Sequence, residues 1–197
     1  MIVILGTAHS KSTLGKRSPD GKFREYLFSR QVCKLIQKEL ISRGIQCFID
    51  IEGDEEVSLS NRCSIVNKYC TKYGTNNCTY VSIHANAAGN GKSWMNAKGW
   101  AAYTSKGITK ADTLSSCLYR AADRNFTGRK IRRDGSKVYD WDWEENFYVL
   151  VHTKCAAVLT ENFFQDNKDD VDFLMSEEGI NSIVKTHVEG ILEYINS

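Results

Sequence analysis

Tyr80-Val81-Ser82-Ile83-His84-Ala85-Asn86 is an apolar run that stops at a histidine, and the pattern occurs twice more. Ile4-Leu5-Gly6-Thr7-Ala8-His9 lies near the start and Ala157-Val158-Leu159-Thr160-Glu161-Asn162 towards the end. Short apolar runs bounded by polar residues read as strands buried on both faces, as in a parallel sheet covered by helices. Residues just past the carboxyl ends of such strands converge on one crevice, where ligands bind. Two histidines and a carboxylate delivered there point to a zinc site, and a further glutamate beside them points to hydrolysis.

The segments between the runs supply the covering helices. Glu25 to Arg43 carries Phe28, Val32, Leu35, Ile36 and Leu40 at helical spacing, with Gly44 where a terminating glycine belongs. Ile45 to Ile49 reads as a strand. Leu59 to Lys72 reads as a helix capped by Ser58, with Leu59, Cys63, Val66 and Cys70 on one face. Further on, the pattern predicts a strand at Trp100–Thr104, a helix at Lys110–Asn125 and a short apolar stretch at Phe147–Leu150. Closing helices are expected at Asp169–Met175 and Glu178–Ile195. Arg129 to Asn146 is polar, aromatic and irregular, and long enough to be a functional loop. The alternation predicts an α/β fold with a mainly parallel, mixed, twisted sheet covered on both faces.

Composition narrows the class. At 197 residues, 42% hydrophobic and 25% charged, the chain can bury a substantial core as one domain spanning 1–197. Its only proline is Pro19, and it contains no repeat and no low-complexity linker. A net charge of +2 is too weak to argue a nucleic-acid partner. No apolar run reaches bilayer-spanning length, so membrane insertion is not expected. Met1 to Leu5 already reads as a core strand, with no charged n-region or cleavage site ahead of it, so no signal peptide is visible. Seven cysteines, an odd number with no CxxC pair, read as buried reduced thiols rather than a zinc-thiolate site.

Each candidate residue also has an ordinary structural reading. Glu25 opens a helix, where a carboxylate is favoured by the helix dipole. His9 and His84 gain weight from their shared place after apolar strands. Glu161 follows a wholly apolar strand, and burial would raise its pKa into the range of a general base or acid, unless a lysine or arginine pairs with it.

Taken together, these residues resemble the zinc-dependent N-acetylmuramoyl-L-alanine amidases of bacterial autolysins and phage endolysins, the amidase 3 family. The resemblance runs nearly end to end. It is carried by His9, by Glu25, and by Leu59-Ser60-Asn61-Arg62 with Val66-Asn67. The specific signals are Ser82-Ile83-His84-Ala85-Asn86 and the late Glu161-Asn162-Phe163-Phe164-Gln165-Asp166-Asn167 with Asp169 or Asp170. It implies a single-domain, phosphorylase/hydrolase-like α/β fold with one Zn2+ per chain, held by His9, Glu25 and His84, and with Glu161 as the catalytic residue. It also implies a monomer acting on peptidoglycan muropeptides at the bond between N-acetylmuramic acid and L-alanine. Such an enzyme would be made in the cytoplasm and act at the cell wall, or be secreted if a leader has been removed.

Several positions depart from the family pattern. Ala8 and Ser10 flank His9 where glycines are usual, and the usual acidic residue shortly after it is missing. Ala156 replaces a proline, Phe163 a glycine, and Val151 an arginine, with His152 next to it. None of these removes a ligand. His152 reads as an extra substrate contact or a loop histidine, and His187 as structural. Trp141 and Trp143 either face glycan or stem-peptide groups or anchor their loop. Arg129 to Arg133 is either a solvated face or a guide for an anionic wall polymer. Two rival functions stay open: a zinc carboxypeptidase or endopeptidase on the stem, for which Arg132 or Arg133 could hold a carboxylate, and a non-catalytic wall-binding module.

Overall fold

A computed structural model describes residues 1–136 and 141–197. Six strands form one sheet in the order β2-β1-β3-β6-β4-β5. They are β1 (Ile2–Thr7), β2 (Gln46–Ile49), β3 (Cys78–Asn86), β4 (Ala101–Thr104), β5 (Trp143–Glu144) and β6 (Ala156–Phe164). The first four strands of that order run parallel, as the alternation of strand and helix predicts. β4 runs antiparallel to β6, and β5 runs parallel to β4. The reversal has a local cause: residues 87–100 contain no helix to carry the chain back across the sheet, so β4 starts near the end at which β3 stops.

Alternation along each strand splits the interior in two. Val3, Leu5, Val81, Ile83 and Val158 face one side. They pack on α1 (Glu25–Ser42), α3 (Lys110–Asn125), α5 (Lys168–Leu174) and α6 (Glu177–Ile195). Ile2, Ile4, Tyr80, Ala157 and Leu159 face the other side, under α2 (Leu59–Tyr73) and α4 (Tyr148–Val151). Each central strand is therefore apolar on both faces, which is why these runs lack polar alternation.

Most boundaries fall within a residue or two of those read from the sequence. The Ser58 hydroxyl caps α2 by accepting from Asn61 N at 3.2 Å, and Gly44 follows α1 at φ 78°. Two differences concern the site. β3 and β6 run beyond their apolar cores, and His84 pairs with Glu161 within the ladder. The segment expected to be irregular contains β5 and an isolated bridge between Trp100 and Ile131. Residues 137–140 of that segment, Asp140 among them, lie outside the described residues. All seven cysteines are buried and free. Among the described residues, no helix is long and apolar enough to cross a membrane.

His187 on α6 is wholly buried beneath β6. Its Nδ1 donates to Ile183 O at 2.7 Å, and its Nε2 lies 2.9 Å from the Thr160 hydroxyl, from which the neutral ring accepts. Burial lowers its pKa to about 4. Below the unfolded value near 6.5, the unfolded chain takes up a proton that the native chain refuses, so stability is lost as pH falls. Between pH 7.5 and pH 5 the loss attributable to His187 is about 2 kcal/mol. Urea unfolding at both pH values should show this increment in the wild type and not in His187→Gln; equal losses would refute the assignment.

Candidate metal centre

The site is built at the carboxyl ends of β1, β3 and β6. After Thr7 the chain turns sharply, and His9 takes φ 45°, a left-handed conformation unusual for histidine. Four side chains hold this turn. Ser29 Oγ accepts from Ala8 N at 2.8 Å, and Arg30 donates to the carbonyls of Ala8 (3.0 Å) and His9 (3.1 Å). Arg62 donates to Thr7 O and, at 3.1 Å, to Asp50 Oδ2. Asp50 in turn accepts from Thr7 N at 2.9 Å and from the Tyr80 hydroxyl at 3.1 Å. A Cβ on Gly6 would collide with that hydroxyl, so the close approach needs glycine.

Glu25, the first residue of α1, is completely buried. Its Oε1 accepts from His84 Nδ1 at 3.1 Å and from Ala85 N at 3.2 Å. Its Oε2 makes no hydrogen bond among the described residues but lies 3.4 Å from His9 Nε2 and 3.9 Å from Lys16 Nζ. Burial would raise the Glu25 carboxyl, but the imidazoles of His84 and His9 outweigh it and hold the group well below the usual carboxylate range. One ligand atom from each of His9, Glu25 and His84 lies within 4.8 Å of the others. Two imidazoles and a buried carboxylate with an oxygen to spare form a donor set suited to a divalent metal that keeps an open position.

Glu161 stands beside His84 in register on β6. It is half-buried, and its enclosed Oε2 has no hydrogen-bond partner among the described residues. Burial first, and the nearby Glu25 charge second, push its pKa well above the usual carboxylate value; Lys16 and Arg132 oppose the rise. A carboxyl so placed takes up a proton more readily than a solvated one. A cavity of about 400 Å³ opens beside His9 and His84, with Val57, Leu59, Phe147, Tyr148 and Leu159 supplying apolar wall.

The remaining residues singled out in the sequence are not gathered there. His152 ends α4 at the opposite end of β6, stacked on Tyr148 with ring centroids 3.8 Å apart. His187 lies within the core. Trp141 packs on Tyr119 and anchors its loop, whereas Trp143 lies on β5. The arginines of the basic run rest on rings: Arg129 over Phe173, Arg132 over Trp143 and Phe164, and Arg133 over Tyr119 and Trp141. The sequence reading gave no role to Asp50 or Arg30, and named Arg62 only within the segment that carries the resemblance. Asp50 carried a signal, since Cys47-Phe48-Ile49 also ends abruptly on a charge.

Comparison with known proteins gives three kinds of match. The sequence profile of the N-acetylmuramoyl-L-alanine amidase family matches residues 3–193. The N-acetylmuramoyl-L-alanine amidase CwlM of Bacillus licheniformis is 27% identical over 159 residues, covering 78% of this chain and 53% of that protein. The endolysin of Bacillus phage SPP1 is 30% identical over 117 residues, covering 59% and 40%. The chain thus spans about half the length of the curated relatives it matches. The crystal structure of an N-acetylmuramoyl-L-alanine amidase from Clostridium difficile 630 superposes with a TM-score of 0.84 at 21% identity, covering 100% of this chain and 97% of that one, a likeness of fold.

Proposed function

The chain belongs to the N-acetylmuramoyl-L-alanine amidase family, and from that premise we propose that residues 1–197 form one catalytic domain that hydrolyses peptidoglycan. The bond cut is the amide between the lactyl group of N-acetylmuramic acid and L-alanine of the stem. One zinc ion per chain is held by His9, Glu25 and His84. The observation that carries the proposal is the buried Glu25 carboxylate shared between two histidines, with the unpaired Glu161 carboxyl in register beside them. All four side chains come from one chain, so a monomer suffices.

When bound, the zinc ion supplies Lewis acidity, lowering the pKa of water towards about 7 and polarising a carbonyl. Glu161 accepts the proton of the attacking water and returns it to the departing alanine nitrogen. Ser82 orients the His84 ring through Nε2 (3.0 Å), which leaves Nδ1, 3.1 Å from Glu25 Oε1, to face the metal. The clamp of Ser29, Arg30 and Arg62 fixes the turn that presents His9. No step uses a thiol, in keeping with the burial of all seven.

The reading is tested by stripping metal with a chelator, restoring zinc and following new amino termini on purified peptidoglycan. Zinc-dependent appearance of N-terminal alanine is expected. Stoichiometric zinc with no cleavage of any muropeptide would favour a binding module instead.

A further inference from the structure

A row of paired residues leads away from the metal centre across the sheet. His84 lies opposite Glu161, and Glu161 opposite Ala101. Trp100 bridges Ile131 in the parallel sense and accepts from Arg132 N at 2.8 Å, so the row continues from Ala101 to Arg132. Directly paired residues project to the same face, so His84, Glu161, Ala101 and Arg132 share one side of the sheet. The fully buried Ala101 is the one residue between Glu161 and Arg132 in this row, and the backbones of those two lie two strand spacings, about 10 Å, apart. The neighbouring row on the same face is Leu159, Tyr103 and Trp143.

The far end of this row holds donors that the metal site does not use. The Arg132 guanidinium lies over the rings of Trp143 (5.6 Å) and Phe164 (5.1 Å), and no ion pair to it is formed among the described residues. Trp143 Nε1–H is buried with no acceptor among the described residues. The Tyr103 hydroxyl is flanked by Arg132 and Asn86. A guanidinium placed over aromatic rings near an unsatisfied N–H suits a planar anion, which it can meet through two parallel hydrogen bonds.

We infer that Arg132, with Trp143 Nε1–H beside it, is a specificity-determining anion subsite that holds a carboxylate of the stem peptide while the amide near Glu161 is cut. The inference rests on the amidase reading and narrows its substrate to stems with a free carboxylate close to the cleaved bond. An extended peptide advances about 3.4 Å per residue, so a carboxylate on the residue after alanine comes within reach of a side chain rooted about 10 Å from Glu161.

The test uses two muramoyl-peptides that differ only in that residue, with a free carboxylate in one and a primary amide in the other. Zinc-loaded wild type should favour the acid by about 10- to 100-fold in kcat/KM, the range of a charge-assisted contact. In Arg132→Gln the ratio should fall to within about twofold of unity, and Arg132→Lys should lie between, because a point charge does not replace a planar fork. Arg133→Gln, on the other side of the segment and paired with Asp123, should keep the wild-type ratio. Thermal unfolding and zinc content report whether each variant is folded. A wild type that does not discriminate, or an Arg132→Gln that keeps the full ratio, overturns the subsite alone. Failure of the wild type to cut either compound between lactyl group and alanine overturns the amidase reading and the subsite with it.

Discussion

Glu161→Gln is expected to lower kcat by about 10³-fold while leaving zinc content and thermal stability close to wild type. The size follows from general acid-base catalysis, where one positioned group is worth about 10² to 10⁴. Glutamine keeps the shape and one acceptor but neither takes a proton from water nor returns one to nitrogen. Stability should be spared because Glu161 Oε2 makes no hydrogen bond among the described residues, and because desolvation already disfavours its charge. Replacing a carboxyl by an isosteric amide therefore removes little that the folded chain relies on. Steady-state kinetics with metal analysis checks the point. Retained turnover would remove Glu161 from the chemistry, and joint loss of activity and zinc would recast it as a ligand.

Glu25→Gln should act in the opposite order, on the metal first. The wild-type carboxylate is fully buried and anionic, with His84 on one oxygen and His9 near the other. An amide brings no charge to offset a divalent cation, and its NH₂ donors meet imidazole nitrogens. Zinc affinity measured by chelator competition should fall at least about 100-fold, beyond the 10- to 100-fold typical of losing a group that merely supports a ligand. Activity at limiting zinc should fall with it. An unchanged affinity would return Glu25 to the role of helix-dipole partner that its position at the start of α1 also fits.

How much of this was legible in the sequence depended on how local the cause was. The apolar runs at Ile4, Tyr80 and Ala157 revealed β1, β3 and β6, because strands buried on both faces have nothing polar to hide. Helical spacing and Gly44 revealed α1. The direction of β4 was not legible, since it follows from a connection that carries no helix rather than from the strand's own residues. The convergence of His9, Glu25 and His84 could be anticipated, but not the shared carboxylate. That depends on the first residue of α1 reaching Ala85 N and both rings.

Of the two left-handed non-glycine positions among the described residues, Phe163 is itself a departure from the family pattern and His9 lies between two others, Ala8 and Ser10. His9 at φ 45° and Phe163 at φ 63° stand where glycine would relax the backbone, a cost of about 1 kcal/mol or more each. At His9 the carbonyl clamp of Arg30 and Arg62 holds the turn. At Phe163 the buried ring packs between Phe126 and Phe173, each with centroids 5.1 Å away. The row leading to Arg132 was hidden for a different reason. It follows from pairings among β3, β6, β4 and residue 131, which are distant in sequence, and no single window contains it.

The most direct measurement is mass spectrometry of purified peptidoglycan digested by the zinc-loaded protein in ¹⁸O water. The account predicts one heavy oxygen on the lactyl carboxylate of the glycan, and unlabelled peptides that begin with L-alanine. Heavy oxygen at a new carboxyl terminus within the stem, with the lactyl amide intact, would contradict it and make the protein a peptidase.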